Sequence, residues 1–322
     1  MRSADAFFPY MQDDPVKMAK LARAGHDIAG FENARVPFDE SVEVSAFNVH
    51  TGMKGLQRTP LVLESLVNDL EDLEKLHVPE PGTSGKVPVV LQAVEALQER
   101  MRDAPIFLGI VTPWTLATQL RGETVCLLDM YSEERLLDGL LEKTSEFIIE
   151  YVREAGKRGV DQIVLEEPLA NEDVMDLDRF RRFVEPYEDR VADNIRTESI
   201  ESMLQISGAM SEEHLRRIVE IDVDALCVDE SIDTPLAKSI CHEKGMLVFG
   251  NVCTTAVLLS GDRKAVQKSA RMCLAQGVDA VAPGGSLELH TPTDNLRAFT
   301  SAVKTRGANE KEGRPAWLGP WG

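Results

Sequence analysis

The chain has 322 residues, of which 43% are hydrophobic and 6% aromatic, a composition that excludes a small disulfide-rich fold and a low-complexity chain. Its formal net charge is −19, from 54 acidic and 35 basic residues. This charge repels nucleic-acid phosphates and anionic lipid surfaces, and the sequence contains no basic patch that would offset it. We therefore expect neither a nucleic-acid partner nor a membrane partner.

The cysteine pattern indicates a reducing compartment. The five cysteines are odd in number and widely spaced, and they form no Cys-x-x-Cys motif. Most lie in apolar runs, where a thiol behaves as a small core side chain. The first residues lack the apolar segment of a signal peptide, and no uncharged apolar run approaches the ~18 residues of a membrane span. These features predict a soluble cytoplasmic protein.

Short apolar runs alternate with amphipathic stretches along the chain. The runs lack strict alternation, which is typical of strands covered on both faces. They predict seven strands, over residues 34–38, 105–110, 162–165, 203–206, 225–228, 246–249 and 279–282. The amphipathic stretches predict helices over 134–157 and 263–276, and further helices that begin at Ser211 and after Pro292.

This strand–helix repetition predicts parallel β/α units. The sequence contains neither G-x-G-x-x-G nor G-x-x-x-x-G-K-[ST], which disfavours a doubly wound nucleotide-binding fold. We predict an α/β fold, a TIM (β/α)8-type barrel one strand short, as a single domain over residues 1–304. Residues 47–63 are expected to form a hairpin or an extended excursion, and residues 305–322 a polar, Gly- and Pro-rich tail.

In a barrel of this type the active site lies where the strands end. Polar residues follow most of the predicted strands, and two acidic pairs stand out: Glu166-Glu167 after the third strand and Asp229-Glu230 after the fifth. Converging carboxylates raise one another's pKa and can act as proton donors or metal ligands. The alternative is that strand ends are polar only because loops face water. The histidines show no zinc-type spacing, and only His290 lies near a strand end.

Several segments resemble the uroporphyrinogen decarboxylase superfamily, and within it the methylcobamide:coenzyme M methyltransferases and their corrinoid-dependent relatives. The matching segments are Asp14–Ala22, Ile28–Phe38, Pro113–Ala117, Glu167-Pro168, Gly250–Val252, Ala282–Gly284 and Thr291–Leu296. The likeness keeps its order to about Val303, and the decarboxylases' Arg-rich N-terminal loop has no counterpart. The resemblance implies a TIM barrel that receives a corrinoid protein at its mouth, so that the cobalamin (corrinoid) cofactor is carried by a partner protein.

Two departures from the family matter. The family's zinc ligands, a His-x-Cys pair and a later Cys, correspond here to Gln205, Ser207 and Gly285, so we expect no zinc at that position. The alternative is a relocated metal site, in which Cys253 would join Glu167, Asp229 or His290. The family's first strand also has no counterpart, so either Phe7–Tyr10 fills the gap or a homodimer covers the open edges.

The resemblance and the residues together predict a corrinoid-dependent methyltransferase without catalytic zinc, with the direction of transfer left open. In one direction Co(I) takes a methyl group from a small methylated compound, such as a methoxylated one, whose leaving group must be protonated. Glu166, Glu167, Asp229 and Glu230 are the predicted catalytic acids. Substrate contacts are predicted for Gln205, Ser207, Asn251, Cys253 and His290. The alternative is a non-catalytic paralogue that docks a corrinoid protein or a methyltransferase partner.

Overall fold

The computed structural model describes residues 1, 4–49, 51–52, 61–62 and 64–307. The strands in this part of the chain are β1 (Ala34–Val36), β2 (Thr51–Gly52), β3 (Leu61–Val62), β4 (Ile106–Val111), β5 (Gln162–Glu167), β6 (Glu201–Ile206), β7 (Ala225–Cys227), β8 (Leu247–Val252) and β9 (Ala280–Pro283).

The α-helices are α1 (Pro15–Ala24), α2 (Val42–Ser45), α3 (Leu70–Lys75), α4 (Val87–Gln98), α5 (Pro113–Arg121), α6 (Glu123–Ser132), α7 (Glu134–Gly156), α8 (Leu177–Phe183), α9 (Glu185–Thr197), α10 (Glu212–Ile218), α11 (Thr234–Glu243), α12 (Arg263–Gln276) and α13 (Thr293–Gly307). A 3-10 helix spans Tyr10–Asp13, and π-helical turns span Gly25–Ala29 and Thr254–Leu259. Within the described residues, no helix combines the length and the apolar character that crossing a bilayer requires.

Seven strands form one sheet in the order β1-β4-β5-β6-β7-β8-β9, and every neighbouring pair is parallel. Each of the seven predicted apolar runs overlaps one of these strands, and the predicted α/β barrel-type fold is confirmed. The sheet curls around a central cavity but does not close, since the described residues place no strand between β1 and β9. The predicted hairpin is present in part, as the antiparallel pair β2–β3; residues 53–60 lie outside the described part.

Local sequence signals set the helix ends. Ser211 begins α10 as predicted, since its hydroxyl accepts a hydrogen bond from the His214 N–H at 3.3 Å. Gly277 ends α12 in the left-handed conformation, with φ of 94°, which costs glycine little because it has no Cβ. The long predicted helix is α7, which buries an apolar stripe and packs against α5, α6 and α9.

The segment before α1 reaches the central cavity through one aromatic side chain. Phe8 is 9% exposed and lines the central cavity. Phe7 and Tyr10, in contrast, are 42% and 67% exposed. The segment forms turns and a 3-10 helix instead of a strand. At the other end, α13 continues to Gly307, and the rest of the predicted tail, residues 308–322, lies outside the described part.

The interior of the barrel is lined sparsely, and this creates the cavity. Val164, Met203, Ala225 and Cys227 form a small cluster separate from the main core, which lies between the sheet and the helices. In closed barrels, layers of bulky side chains fill this space. Here the described residues place no strand between β1 and β9, and a cavity of about 2930 Å³ reaches from one end of the strands to the other.

A repeated aspartate fixes the strands at their amino-terminal ends. Asp161, Asp224 and Asp279 each precede a strand, and each accepts the backbone N–H of a residue at the start of the preceding strand in the sheet, at 2.7, 2.7 and 2.8 Å. Asp279 also pairs with Lys238 and His242. Burial acts to raise the pKa of Asp279, but the hydrogen bonds from Val248, His242 and Lys238 outweigh it and lower the pKa.

We predict that Asp279→Ala lowers the free energy of unfolding by about 2 kcal/mol, because a charged acceptor shared by three donors is lost. Urea denaturation followed by circular dichroism at pH 7 measures this change. Glu74→Ala, on an exposed position of α3, is the control and should leave the urea midpoint in place. Because the folded pKa is lowered, the contribution of Asp279 is present above its unfolded pKa and is lost as the pH falls through the folded value. Equal midpoints for the two variants at pH 7 would contradict this role.

Candidate active site

One row of inward-facing side chains marks the mouth of the cavity. Glu166 on β5 lies in register with Gln205 on β6, and Gln205 lies in register with Cys227 on β7. Neighbouring strands are ~4.8 Å apart, so these three side chains stand side by side. All three line the cavity at the carboxyl end of the sheet. The structure therefore brings together two of the predicted site residues, Glu166 and Gln205.

A guanidinium group from the edge strand β1 completes this row. Arg35 on β1 is in register with Phe107, in a lower layer of the barrel, but its long side chain rises to the mouth. There its Nη1 donates a hydrogen bond to Gln205 Oε1 at 3.0 Å, and its Nη2 forms an ion pair with Glu166. The side chain of Arg35 remains 33% exposed, so the guanidinium faces the cavity while holding both partners.

The ion pair depends on a residue that has no side chain. Gly109 lies on β4, between the strands that carry Arg35 and Glu166. A Cβ at Gly109 would lie 2.5 Å from Glu166 Oε1 and 3.4 Å from Arg35 Nη2. Any larger residue would therefore displace the carboxylate from the guanidinium.

A further carboxyl group lies near Arg35, in the loop after β1. Glu40 lines the cavity, and burial raises its pKa to about 7. The negative charges of Glu166 and Glu167 also raise this pKa, the positive charge of Arg35 opposes them, and Asp39 adds a smaller upward effect. Glu40 therefore changes its charge near neutral pH.

The two members of the first acidic pair face opposite sides of the sheet, as strand alternation requires. Glu167 is fully buried in the layer between sheet and helices. Its carboxylate accepts hydrogen bonds from the Leu169 N–H at 2.7 Å, from Thr115 Oγ1 at 3.0 Å and from Thr112. Burial raises its pKa to about 7 against these hydrogen bonds. Glu167 thus holds the end of β5 in place and does not share the cavity wall with Glu166.

A second buried carboxyl group lies beside Glu167. Glu188 on α9 is fully buried, and burial followed by the charge of Glu167 raises its pKa well above the usual range. Two adjacent buried carboxyl groups cannot both be charged at low cost, so we assign the pair a shared proton.

The second acidic pair organises the loops above the mouth. Asp229 accepts the Gly208 N–H at 2.7 Å and the Ser231 N–H at 2.8 Å, and so links the exits of β6 and β7. Glu230 is exposed. Because the carboxylate of Asp229 is occupied by these backbone donors, it shapes the rim of the cavity without lining it.

Three other predicted site residues lie away from the row at the mouth. Asn251 is 8% exposed; it donates to Thr234 Oγ1 at 2.8 Å and accepts from Cys273 Sγ at 3.0 Å, so its amide faces α11 and α12. Cys253 is half-buried, with its Sγ 3.6 Å from Thr255 Oγ1. His290 is exposed. Across the described residues, no three His, Cys, Asp or Glu side chains form a group that could hold a metal ion.

Of the three positions predicted to correspond to the family's zinc ligands, two lie close together. A Cβ at Gly285 would lie 4.0 Å from Ser207 Oγ, and Gln205 stands on the same strand exit as Ser207. The residues present offer an amide, a hydroxyl and no side chain at all, whereas Zn²⁺ prefers thiolate and imidazole. The guanidinium 3.0 Å from Gln205 Oε1 would also repel a dication. These residues do not fit zinc.

The cavity wall is strongly acidic and partly aromatic. Among the described residues that line it, twelve are Asp or Glu, against two Arg and one Lys. The rings of Phe107 and Phe249 belong to the inner wall of the barrel, next to Met203. The cavity therefore combines a negative potential with apolar and aromatic surfaces.

Sequence reasoning missed Arg35 and Glu40. Arg35 did give a signal, because a charged residue between Ala34 and Val36 is unusual in a strand expected to be buried on both faces. Glu40 gave none, because its position in the cavity and its raised pKa depend on residues from distant parts of the chain.

The comparisons with known proteins agree with this architecture. The family model "Uroporphyrinogen decarboxylase (URO-D)" matches residues 1–306. The chain is 27% identical to the methylcobamide:CoM methyltransferase MtbA of Methanosarcina acetivorans, over 94% of this chain and 88% of that protein. It is also 27% identical to a uroporphyrinogen decarboxylase of Anaeromyxobacter dehalogenans, over 91% and 86% of the two chains.

A solved structure has the same fold. A methyltransferase from Methanosarcina mazei superimposes with a TM-score of 0.89 at 27% identity, covering 95% of this chain and 90% of that one. A B12-independent methionine synthase from a Shewanella species, at 14% identity and a TM-score of 0.58, shares the fold. The match of the family model to nearly the whole chain, on an incomplete barrel with its polar row at the carboxyl ends of the strands, establishes that this protein belongs to the uroporphyrinogen decarboxylase (URO-D) family.

Proposed function

We propose that this protein is a corrinoid-dependent methyltransferase, which moves a methyl group between a small compound in the barrel cavity and a corrinoid carried by a partner protein. The observation that carries the proposal is the row Arg35–Glu166–Gln205 at the open carboxyl end of the barrel, the place where such barrels hold their active sites. The similarity to methylcobamide:CoM methyltransferases over 94% of the chain supports it. The corrinoid is then a substrate delivered to the mouth.

Methyl transfer to or from cobalt is a displacement at carbon, so the methyl group must lie in line between its donor and its acceptor. What the protein supplies is therefore placement of the small compound. We assign direct substrate contact to Glu166 and Gln205, which line the cavity, and to Ser207 at the same strand exit. Arg35 fixes the orientation of both Glu166 and Gln205.

In this proposal, Glu167 and Asp229 do not contact the substrate but hold in place the strand ends and loops that form the site. Glu167 holds the exit of β5 through its hydrogen bonds to Thr112, Thr115 and Leu169, and Asp229 holds the loops after β6 and β7. We class both as positioning residues. The mechanism we propose uses no zinc, because Gln205, Ser207 and Gly285 do not fit that metal.

The remaining parts of the proposal concern the setting of the reaction. We place the protein in the cytoplasm, where corrinoid proteins with reactive cobalt would meet it under reducing conditions. A homodimer that covers the open edge between β1 and β9 is consistent with the proposal, because unpaired strand edges are normally covered.

A methyl-transfer assay tests the proposal, with methylcobalamin as methyl donor in one direction and Co(I)-cobalamin as acceptor in the other. We expect turnover in at least one direction, followed by the change in the cobalamin absorption spectrum. Glu166→Gln should lower kcat/KM by about tenfold or more, because a charged contact at the reaction site is lost. The matched control Glu74→Gln, on α3 away from the cavity, should retain full activity.

No turnover and no cobalamin binding in either direction would overturn this function. Binding of a corrinoid protein that is unaffected by Glu166→Gln, in the absence of any turnover, would favour the non-catalytic paralogue.

Metal removal provides an independent check. We expect protein purified without chelator to lose no activity after dialysis against EDTA, because its mouth lacks zinc ligands. Elemental analysis should find zinc well below one ion per chain. Stoichiometric zinc whose removal abolishes turnover would contradict the zinc-free mechanism while leaving methyl transfer itself intact.

A further inference from the structure

The mouth of the barrel has an unusual charge balance for a site that resembles a zinc-thiolate centre. Its one nearby described cation, Arg35, is already paired with Glu166, while Asp39 and Glu40 add further carboxyl groups to the same wall. An incoming thiolate or sulfonate would therefore meet an already neutralised guanidinium and two more acids. An anionic substrate is disfavoured at this position.

From this charge balance we propose that the small substrate is an onium cation, a compound whose methyl group is carried by a quaternary nitrogen or a sulfonium sulfur. This inference rests on the proposed methyl-transfer function and names its substrate class. The positive charge would lie between Glu166 and Glu40 at the mouth, in the register row of Phe249. Met203 and Phe107 line the cavity about two and four residues deeper along the strands.

The interior of the barrel offers acceptors and π-faces to such a ligand. Gln162 on β5 lies on the same strand face as Val164 and Glu166, lines the cavity and is 8% exposed. Its Oε1 has no hydrogen-bond partner among the described residues. Phe107 and Phe249 are half-buried on the inner wall, where the faces of aromatic rings attract onium groups. Of these groups, Phe249 lies in the register row of Glu166 and can contact a cation at the mouth. Gln162 and Phe107 lie four residues deeper, so they suit a positively charged ligand further inside the cavity.

The chemistry of an onium donor also matches the missing zinc ligands. When Co(I) of a corrinoid attacks the methyl carbon, its electron pair forms the new Co–C bond and the cobalt becomes formally Co(III). The C–N bond breaks and its electron pair stays on nitrogen, which leaves as a neutral tertiary amine. No proton is consumed and no thiolate needs activation, so apart from the cobalt of the corrinoid the step requires neither a zinc ion nor a general acid.

Isothermal titration calorimetry with three probes tests the inference without requiring turnover. Choline carries a trimethylammonium group, 3,3-dimethyl-1-butanol is its neutral isostere, and ethanesulfonate is a small anion. We expect choline to bind at least about tenfold more tightly than the neutral isostere at pH 8, and ethanesulfonate to bind least. Equal affinities for choline and its isostere, or a preference for ethanesulfonate, would overturn the inference.

Two variants locate the preference at the mouth. Glu166→Gln leaves Arg35 without its ion-pair partner and should reverse the order of affinities. Choline should then bind more weakly and ethanesulfonate more tightly. Arg35→Gln removes the only cation of the row and should tighten the binding of choline. Glu74→Gln is the control and should match the wild type, and circular dichroism should establish that each variant is folded. An unchanged order of affinities in a folded Glu166→Gln protein would also contradict the proposal.

The affinity for choline should depend on pH through Glu40. The charged groups around Glu40 are Arg35 on β1, Asp39 beside it in the loop, and Glu166 and Glu167 on β5, and burial together with these charges brings its pKa to about 7. Below this value Glu40 is neutral, and above it Glu40 is an anion. Choline affinity should therefore rise by about tenfold between pH 6 and pH 8. Glu40→Gln should remove this rise, and a rise that persists in this variant would assign it to another group.

The binding and transfer experiments test the onium inference and the proposed function separately. Choline binding with no methyl transfer in either direction, neither to Co(I)-cobalamin from choline or trimethylsulfonium nor from methylcobalamin to an acceptor, would overturn the proposed function and leave the charge preference. Methyl transfer from a neutral or anionic donor, without choline binding, would overturn the onium inference and leave the proposed function.

Discussion

The ion pair between Arg35 and Glu166 crosses the inside of the barrel from β1 to β5, over the bare backbone of Gly109. Burying two charges is costly unless each finds its partner, and removing one of them leaves the other uncompensated. Gln205 completes the arrangement by accepting a hydrogen bond from the same guanidinium. This contact ties the open edge strand β1 to the middle of the sheet and also sets the charge at the mouth.

The parallel arrangement of the strands makes such a contact possible. Because the carboxyl ends of all seven strands lie at the same end of the barrel, Arg35 and Gln205 can share a hydrogen bond although they are 170 positions apart in the chain. At the opposite end, the amino-terminal ends of the strands are held by Asp161, Asp224 and Asp279. Each accepts a hydrogen bond from the start of the preceding strand. Part of the net charge of −19 therefore has a structural role at one end of the barrel, and part of it faces the cavity.

The positions predicted to correspond to the family's zinc ligands lie at the ends of β6 and β9. Ser207 and Gly285 still approach each other, since they are placed by the ends of β6 and β9. These positions carry Gln205, whose amide accepts a hydrogen bond from the Arg35 guanidinium, together with Ser207 and Gly285, whereas zinc prefers thiolate and imidazole ligands. A site with this donor set can bind and orient a small molecule but cannot lower the pKa of a thiol through a metal. The onium hypothesis is one way in which methyl transfer could proceed on the same barrel.

The sequence by itself determined the seven strands, the main helices and the strand ends at which polar residues gather. These features follow from short-range patterns: apolar runs, caps such as Ser211 and stops such as Gly277. It also placed Glu166 and Gln205 at the mouth. Only the tertiary structure decided that Glu167 and Asn251 turn towards the helices, that Asp229 holds loops, and that Arg35 and Glu40 belong to the cavity. A strand of three residues gives too short a pattern to assign its inner face, and the environment of a side chain depends on residues far away in the chain.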